Sequence, residues 1–281
     1  MQPSRRQAPA GERERGVIME DVIMAVRRLW FGAQVVPMGR AVGVVECGGE
    51  MVMHVDEDGP GADRLIGAAA ARGAYVVVNP QSRPADLGAR LRLAGFTLVQ
   101  SHATYLFDQT VSAIEKAPVA QEPIRRSGLL SLLRWRGAAQ VDIHQIDAAQ
   151  LAQWNSVCWR AFGSRFSESA SLVDKQTAFH NMGASARWYL ATVGGRPAGT
   201  AILYQDAMAA QILAVGTLPA FQGRGVATAV VRRVIADWER YGQGFLFLDT
   251  TPGSPAERLY LKLGFVKSYL REVYAPAQPL S

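Results

Sequence analysis

The stretch Leu218–Val231, LPAFQGRGVATAVV, predicts the end of a strand, a glycine loop and the start of a helix. Pro219 stops the strand, because proline has no N–H to donate to a sheet ladder. Apolar residues then recur at helical spacing, at Val226, Val230, Val234 and Trp238. The loop in between places two glycines around Arg224. What the chain does therefore depends on what such a loop can bind.

A glycine loop at a helix N-terminus is suited to an anion. The first turn has N–H groups without intrahelical acceptors, and the helix dipole adds positive potential there. Gly223 and Gly225 allow the backbone to approach phosphate oxygens without a Cβ in the way, and Arg224 adds a charged donor. We therefore expect a pyrophosphate site. The alternative is a glycine-rich helix cap that binds no ligand.

The loop resembles the acyl-CoA signature of the GNAT N-acetyltransferase superfamily. In that signature Gln or Arg, two spacers, Gly, one spacer, and Gly or Ala line the loop, and Gln222, Gly225 and Ala227 fill these positions. The superfamily usually places a proline shortly before the loop and closes with Ala, Leu-Tyr and Gly-Phe. Residues at the matching spacings are Pro219, Ala256, Leu259, Tyr260, Gly264 and Phe265. The resemblance covers about residues 139–276.

The resemblance implies an α/β fold with a mixed, twisted sheet of α+β type. In that family fold the sheet is splayed between its fourth and fifth strands, and the pantetheine arm of acetyl-CoA lies in the split. The implied acetyl-CoA contacts are Val215, Gly216 and Thr217 on the fourth strand, and Gln222, Gly223, Arg224, Gly225, Val226, Ala227 and Thr228 in the loop. A glycine inside a strand, such as Gly216, is also typical of a bulge or a close backbone approach.

Acyl transfer to an amine needs a base for the amine and an acid for the leaving thiol. In many family members the tyrosine of the Leu-Tyr pair is the acid, which implies that role for Tyr260; the alternative is an aromatic that only packs. Many relatives carry a glutamate early in the fourth strand, where this chain has Gln211. Asp249, near the end of the fifth strand, is therefore our candidate base, directly or through a water. The alternative is that Asp249 is a turn aspartate without a catalytic role. His180 and Glu168 are further candidates for the base.

A second departure from the family lies before the last helix. Relatives commonly have an asparagine three residues ahead of the alanine, and this chain has Gly253 there, beside Ser254. We expect the Ser254 hydroxyl to replace the missing hydrogen bond to acetyl-CoA.

The sequence around the loop alternates between strand and helix patterns. A strand at 139–146 precedes a helix for which Asp147 is a possible cap, and Gly194–Gly195 joins two strands as a hairpin. The segment between that helix and the hairpin is rich in aromatics. They are Trp154, Trp159, Phe162, Phe166, Phe179 and Trp188. Most are expected in the core, and a few are candidates for the wall of an acceptor site for a partly apolar amine.

The two halves of the chain resemble each other. Three features occur in the same order at 72–96 and again at 241–265. They are a glycine at the end of a helix, an apolar strand, and a second helix followed by Gly-Phe, and the repeat spans about 169 residues. We interpret this as a duplication that gives two acyl-CoA N-acyltransferase-like domains. The alternative is that any two α/β units share this order of strand, helix and glycine. The first half has acidic residues at 56–58 where the glycine loop would be. They would repel a pyrophosphate, so only the C-terminal domain is expected to be complete.

The predicted organisation is a disordered tail at 1–16, a degenerate GNAT-like domain at 17–112, a linker at 113–138 and a catalytic GNAT domain at 139–281. If the duplication is real, we expect the two domains to pair within one chain and the protein to be a monomer. A homodimer is the alternative.

Composition restricts the remaining possibilities. The chain has 281 residues, a formal net charge of +6 and two cysteines. No apolar run is long enough for a membrane span or a signal peptide, so we expect a cytoplasmic protein without a membrane partner. Cys47 and Cys158 are isolated and the four histidines form no cluster with them, so no metal site is expected. The arginines are scattered except in the tail and linker, which makes nucleic acid an unlikely partner.

These observations together predict an enzyme that transfers an acetyl group from acetyl-CoA to a small-molecule primary amine in a ternary complex. A protein N-acetyltransferase is the nearest alternative. Gln211 and Gly253 also leave open a non-catalytic acyl-CoA-binding or scaffold protein.

Overall fold

The computed structural model of the protein describes residues 36–37, 43–47, 50–55, 59–80, 82–108, 141–163, 167–242 and 244–277. These residues divide into two compact units. Unit 1 holds the residues up to Thr104 together with 250–252 and 267–277, and unit 2 holds Tyr105–Asp249 and Gly253–Val266. Each unit therefore includes residues from both halves of the sequence.

Unit 1 is built mainly from the N-terminal half. Its elements are β1 (Val36–Pro37), β2 (Gly43–Cys47), β3 (Glu50–His54), α1 (Pro60–Arg72), β4 (Tyr75–Val78), α2 (Leu87–Leu93) and most of β5 (Phe96–Phe107). Strands β1, β2 and β3 pair antiparallel, whereas β3 and β4 are parallel and connected by α1. Helix α1 ends at Gly73, whose φ of 63° is in the left-handed region that favours glycine. The predicted helix with a glycine stop is confirmed.

Unit 2 contains the elements around the glycine loop. They are β6 (Val141–Gln145), α3 (Leu151–Phe162), α4 (Glu168–Met182), β7 (Ala186–Val193), β8 (Arg196–Gln205), β9 (Ala209–Thr217), α5 (Val226–Tyr241), β10 (Phe245–Thr250) and α6 (Pro255–Lys262). The strand order is β10-β9-β8-β7-β6. Only β9 and β10 are parallel; the other neighbours are antiparallel. The predicted mixed α/β sheet is confirmed.

Local signals in the sequence position most of these elements correctly. Gly194 and Gly195 have φ of 56° and 75° in the β7–β8 hairpin, as a tight turn with left-handed residues requires. The Asp147 side chain accepts hydrogen bonds from the Ala149 and Gln150 N–H groups at the start of the first helical turn. The four apolar residues predicted to face inward on α5 are all buried. The hairpin, the cap and the helix face are therefore confirmed.

Helix α4 was not predicted. Its N-cap, Ser167, accepts a hydrogen bond from the Ala170 N–H at 3.2 Å, but none of its residues is fully buried. Its apolar side chains Leu172, Phe179 and Met182 pack partly exposed on a core that includes Trp154 and Trp188.

The last strand, β11 (Phe265–Pro276), corrects one expectation. The sequence analysis places this strand in the C-terminal domain at 139–281, but from Lys267 onward it lies in unit 1, where Glu272–Tyr274 pairs antiparallel with Val76–Val78 of β4. Tyr274 is fully buried in the core of unit 1. The physical reason is that β5 and β11 are alike in sequence pattern. Both are twelve-residue strands that begin at the Phe of a Gly-Phe pair after a helix, so either strand could occupy the position of the other.

The end of β5 lies correspondingly in unit 2. There the Phe107 ring packs against Trp238 and Phe265, with ring centroids 5.8 and 5.3 Å apart. Unit 2 therefore depends on residues from the N-terminal half of the sequence.

Several predicted features lie outside the described residues: the tail at 1–16, the linker at 113–138 and the acidic residues at 56–58. The predicted domain boundaries fall in these parts and stay a prediction. None of the helices in the described residues is long and apolar enough to cross a membrane.

Candidate functional site

The sheet of unit 2 opens between β9 and β10, its fourth and fifth strands. Their parallel pairing runs from Ala209 with Phe245 to Ile212 with Leu248, whereas β9 continues to Thr217. The predicted split is therefore present. Val215–Thr217 extend along it without a pairing partner in β10 among the described residues.

A β-bulge lies in β9 where the split begins. Thr200 pairs with Gly216 and Ile202 with Leu213, so Ala214 and Val215 together oppose a single residue of β8. Ala214 has a φ of 50°, which is rare for a residue other than glycine. The Thr200 hydroxyl donates a 2.9 Å hydrogen bond to the Ala214 carbonyl. The bulge therefore precedes Gly216 directly and lies just beyond the last pair of β9 with β10.

The close packing of a helix explains the glycine at position 216. A Cβ at this position would lie 2.9 Å from the Ala161 Cβ and 3.1 Å from the Phe162 Cε2. These atoms belong to the last turn of α3, so the close backbone approach inferred from the sequence is made by α3. Phe162 itself is 58% exposed beside the bulge.

Both glycines of the loop adopt the left-handed conformation that favours glycine. Gly223 and Gly225 have φ of 72° and 79°, and a Cβ on either would meet nothing within 4 Å. Gly225 is the N-cap of α5 and has no side chain to bind the first-turn N–H groups. These groups belong to Val226, Ala227 and Thr228, and the structure gives them no acceptor among the described residues. The loop therefore combines open space with free N–H donors.

Two polar groups connect this loop to the split. Gln222 donates from its Nε2 to the Thr217 carbonyl at 3.3 Å, which ties the loop to the end of β9. The Thr217 hydroxyl oxygen is buried and has no hydrogen-bond partner in the described part of the chain. An orphaned buried hydroxyl at this position is suited to a polar ligand that enters the split.

Two arginines flank the Phe221 ring next to the loop. The guanidinium carbon of Arg224 lies 5.7 Å from the ring centroid, and that of Arg196 lies 5.5 Å from it. Sequence reasoning selected Arg224 and missed Arg196. The signal that could have found Arg196 is its position directly after the predicted Gly194–Gly195 turn.

Tyr260 lies on α6 and is 6% exposed. Its ring contacts Phe265 in an edge-on arrangement with centroids 5.9 Å apart. Burial raises the pKa of Tyr260 to about 12, so the hydroxyl is protonated at neutral pH. None of the described residues forms a hydrogen bond with this hydroxyl, which leaves its proton available to a ligand.

Asp249 and Gln211 meet across the parallel pair of strands. Gln211 pairs with Phe247, so Asp249 follows on the same face of β10. The Gln211 Nε2 lies 3.4 Å from the Asp249 Oδ2, and Gln211 is 1% exposed. A carboxylate of the neighbouring strand thus lies beside the position where the family commonly has a glutamate, and its role as the base stays a prediction.

The turn before α6 is stabilised by Glu257. The Ser254 hydroxyl accepts a 3.1 Å hydrogen bond from the Glu257 N–H as the N-cap of the helix. The Glu257 carboxylate in turn accepts from the Gly253 N–H and from the Tyr105 hydroxyl. Tyr105, which sequence reasoning missed, is fully buried and comes from β5. The structure thus uses Ser254 as a helix cap, and its contact with acetyl-CoA stays a prediction.

The aromatic segment before the hairpin belongs largely to the core. Trp154 and Trp188 are buried and pack edge-on at 4.6 Å, and Phe179 lies 5.4 Å from Trp188. His180 and Glu168 lie at opposite ends of α4. Of the aromatic residues that the structure describes here, Phe162 is the one exposed next to the split.

Comparison with known proteins agrees with this architecture. Residues 148–265 match the model of the acetyltransferase (GNAT) family. A functionally unknown conserved protein from Staphylococcus epidermidis has a similar fold, with a TM-score of 0.62 and 12% identity over 90% of this chain and 98% of that one. A GCN5-related N-acetyltransferase from Kribbella flavida gives a TM-score of 0.60 and 15% identity over 94% of this chain and 95% of that one. No curated protein matches the sequence.

Proposed function

We propose that this chain, whose residues 148–265 form a domain of the acetyltransferase (GNAT) family, transfers an acetyl group from acetyl-CoA directly to a small-molecule primary amine. The observation that carries the proposal is the split between β9 and β10, which leads to a loop with free N–H groups. A linear thioester with a diphosphate at one end matches this combination of a narrow opening and an anion site.

The donor would bind along the unpaired end of β9. The pantetheine amides would pair with the backbone of Val215–Thr217, as an added strand does at a sheet edge. The diphosphate would accept hydrogen bonds from the N–H groups of Gly223–Thr228, and the charge of Arg224 would add to the positive potential around the anionic end of the donor. The thioester would then lie near the bulge, close to where β10 brings in Asp249.

The chemistry needs one proton removed and one supplied. Asp249, held by Gln211, would accept the proton of the amine directly or through one water. The amine nitrogen would attack the thioester carbonyl, so that a C–N bond forms and the C–S bond breaks. Tyr260 would donate its proton to the leaving thiolate. The products are an N-acetyl amide and CoA.

The acceptor would enter from the side of α3. Phe162 offers an exposed aromatic surface next to the bulge. An apolar group near the amine would pack there, which supports a small, partly apolar substrate.

A non-catalytic acyl-CoA-binding role is the alternative, and Gln211 is the observation that favours it. An amide in place of a carboxylate cannot act as a base, and the 3.4 Å contact would then only fix Asp249 in the wall of the site.

The first experiment is calorimetric titration with acetyl-CoA of the full chain, a Gly225→Glu variant and a Gly73→Glu control. Both glycines are left-handed with open space around them, so the two substitutions strain the backbone alike. We expect one equivalent of acetyl-CoA bound by the natural chain and by the Gly73→Glu variant, and none by the Gly225→Glu variant. Thermal unfolding of all three checks that they are folded.

Two equivalents would mean that the N-terminal half also binds acetyl-CoA. Binding without turnover of any amine, in a screen that follows release of the CoA thiol, would favour the non-catalytic role.

A further inference from the structure

Two guanidinium groups lie on one buried aromatic ring beside the loop. Phe221 is 6% exposed, and Arg196 and Arg224 lie 5.5 and 5.7 Å from its centroid. Both arginine side chains are exposed. We refer to Arg196, Phe221 and Arg224 as the arginine pair site.

Strand register explains why Arg196 reaches this place. Strand β8 begins at Arg196 and runs antiparallel to β9, with Gly199 opposite Thr217. The Leu218 N–H also donates to the Ala198 carbonyl at 2.9 Å. The start of β8 therefore lies next to the turn Pro219–Phe221 that leads into the loop. Backbone pairing therefore fixes the position of Arg196 beside the glycine loop.

No carboxylate among the residues that the structure describes neutralises the charges of this pair. Neither Arg196 nor Arg224 forms an ion pair with a carboxylate among the described residues. By contrast, Arg90 pairs with Asp63 and Asp86, and Arg233 pairs with Asp237. The two guanidinium charges on one ring repel each other, and a bound dianion would attract both and offset that repulsion. The ring restricts both side chains before any ligand binds, which lowers the entropic cost of binding.

We propose that Arg196 and Arg224 bind the ribose 3′-phosphate of acetyl-CoA, so that the protein selects CoA thioesters over dephospho-CoA thioesters. The inference rests on the proposed function. The N–H groups at the start of α5 are suited to the diphosphate, and the 3′-phosphate is the other anionic group of the donor. A phosphate monoester is close to a dianion at neutral pH, and guanidinium groups bind it through paired hydrogen bonds.

The test compares the affinities of acetyl-CoA and acetyl-dephospho-CoA for the natural chain, an Arg196→Gln variant and an Arg240→Gln control. Arg240 and Arg187 also share one ring, that of Tyr241, at 5.1 and 5.2 Å, but at the other end of α5. We expect the natural chain and the control to bind acetyl-CoA roughly 10-fold or more tightly than the dephospho donor. In the Arg196→Gln variant this ratio should fall toward one through weaker binding of acetyl-CoA alone.

Two results would overturn the proposal while leaving acetyl-CoA binding intact. One is equal affinity of the natural chain for both donors. The other is an Arg196→Gln variant that weakens both donors by the same factor, which would indicate a role at the diphosphate or in the fold. If the natural chain binds neither donor, this inference and the proposed function both fail.

Discussion

Tyr260 is a buried residue whose hydroxyl has no hydrogen-bond partner among the described residues, and it is the proposed acid of the reaction. Replacing it with phenylalanine keeps the ring that packs on Phe265 and removes only the proton donor. We expect Tyr260→Phe to lower kcat about 10²- to 10³-fold and to leave the affinity for acetyl-CoA unchanged. Steady-state rates and calorimetry measure the two effects. A parallel loss of affinity would instead indicate a structural role.

The raised pKa of Tyr260 makes a prediction about pH. A general acid works only while protonated, and burial raises the pKa of this group from 10.0 to about 12. The rate should therefore stay level as pH rises through about 10, where an ordinary tyrosine ionises, and should fall only on approach to the raised pKa. A kcat profile over the stable range checks this. A decline centred near 10 that is absent in Tyr260→Phe would contradict it.

Asp249 and Gln211 should differ in their effects on the rate. Asp249→Asn removes the proposed base and should lower kcat at least about 100-fold. Gln211→Leu removes one hydrogen bond to that carboxylate and should cost roughly 10-fold, in line with about 1.5 kcal/mol for a bond to a charged group. Single-turnover rates with a saturating amine measure both. Equal losses, or none for Asp249→Asn, would remove Asp249 as the base.

The single residues of this site were predictable to different degrees. Tyr260 and the loop glycines stand at fixed spacings in one stretch of chain, so a motif finds them. The contact of Gln211 with Asp249 depends on the register of two parallel strands that are joined by a helix, and spacing does not encode that register. Arg196 was missed for the same reason, since it reaches Phe221 only through the pairing of β8 with β9.

At the scale of elements, the packing of α3 on β9 depends on Gly216. A methyl group there would meet Ala161 and Phe162 at 2.9 and 3.1 Å, so either the helix or the bulge must move. We expect Gly216→Ala to destabilise the protein by about 1–3 kcal/mol. The control, Gly67→Ala on α1, adds a methyl with nothing within 4 Å and should stabilise by about 0.5–1 kcal/mol. Denaturant unfolding measures both, and a neutral Gly216→Ala would refute the packing argument.

Most elements of unit 2 were predictable because each carries a local signal. Strand β8 follows a Gly-Gly turn, α5 has an apolar stripe and α6 begins after Ser254. Helix α4 has a cap at Ser167 but no stripe, since its apolar side chains are only partly covered. An element whose burial is incomplete leaves a weak pattern in the sequence, and this explains the omission.

At the scale of the whole molecule, the sequence could not predict which unit receives each repeated strand. Strands β5 and β11 have the same length and both follow a Gly-Phe step. The sequence pattern is therefore compatible with either strand in either unit, as it is for the identical elements that exchange in domain swapping. The choice is made by particular contacts: Tyr274 in the core of unit 1, and Tyr105 and Phe107 in unit 2.

This division of β5 predicts a local effect on stability. Phe107 is nearly buried in unit 2 and packs on Trp238 of α5, whereas Leu98 lies on the same strand in unit 1 and is 44% exposed. Phe107→Ala should cost about 3–5 kcal/mol and raise the hydrogen-exchange rates of the α5 amides more than about 100-fold. Leu98→Ala should leave α5 unchanged. If Phe107→Ala instead accelerated exchange only in α1 and β4, the end of β5 would belong to the N-terminal half, and unit 2 would fold without help from it.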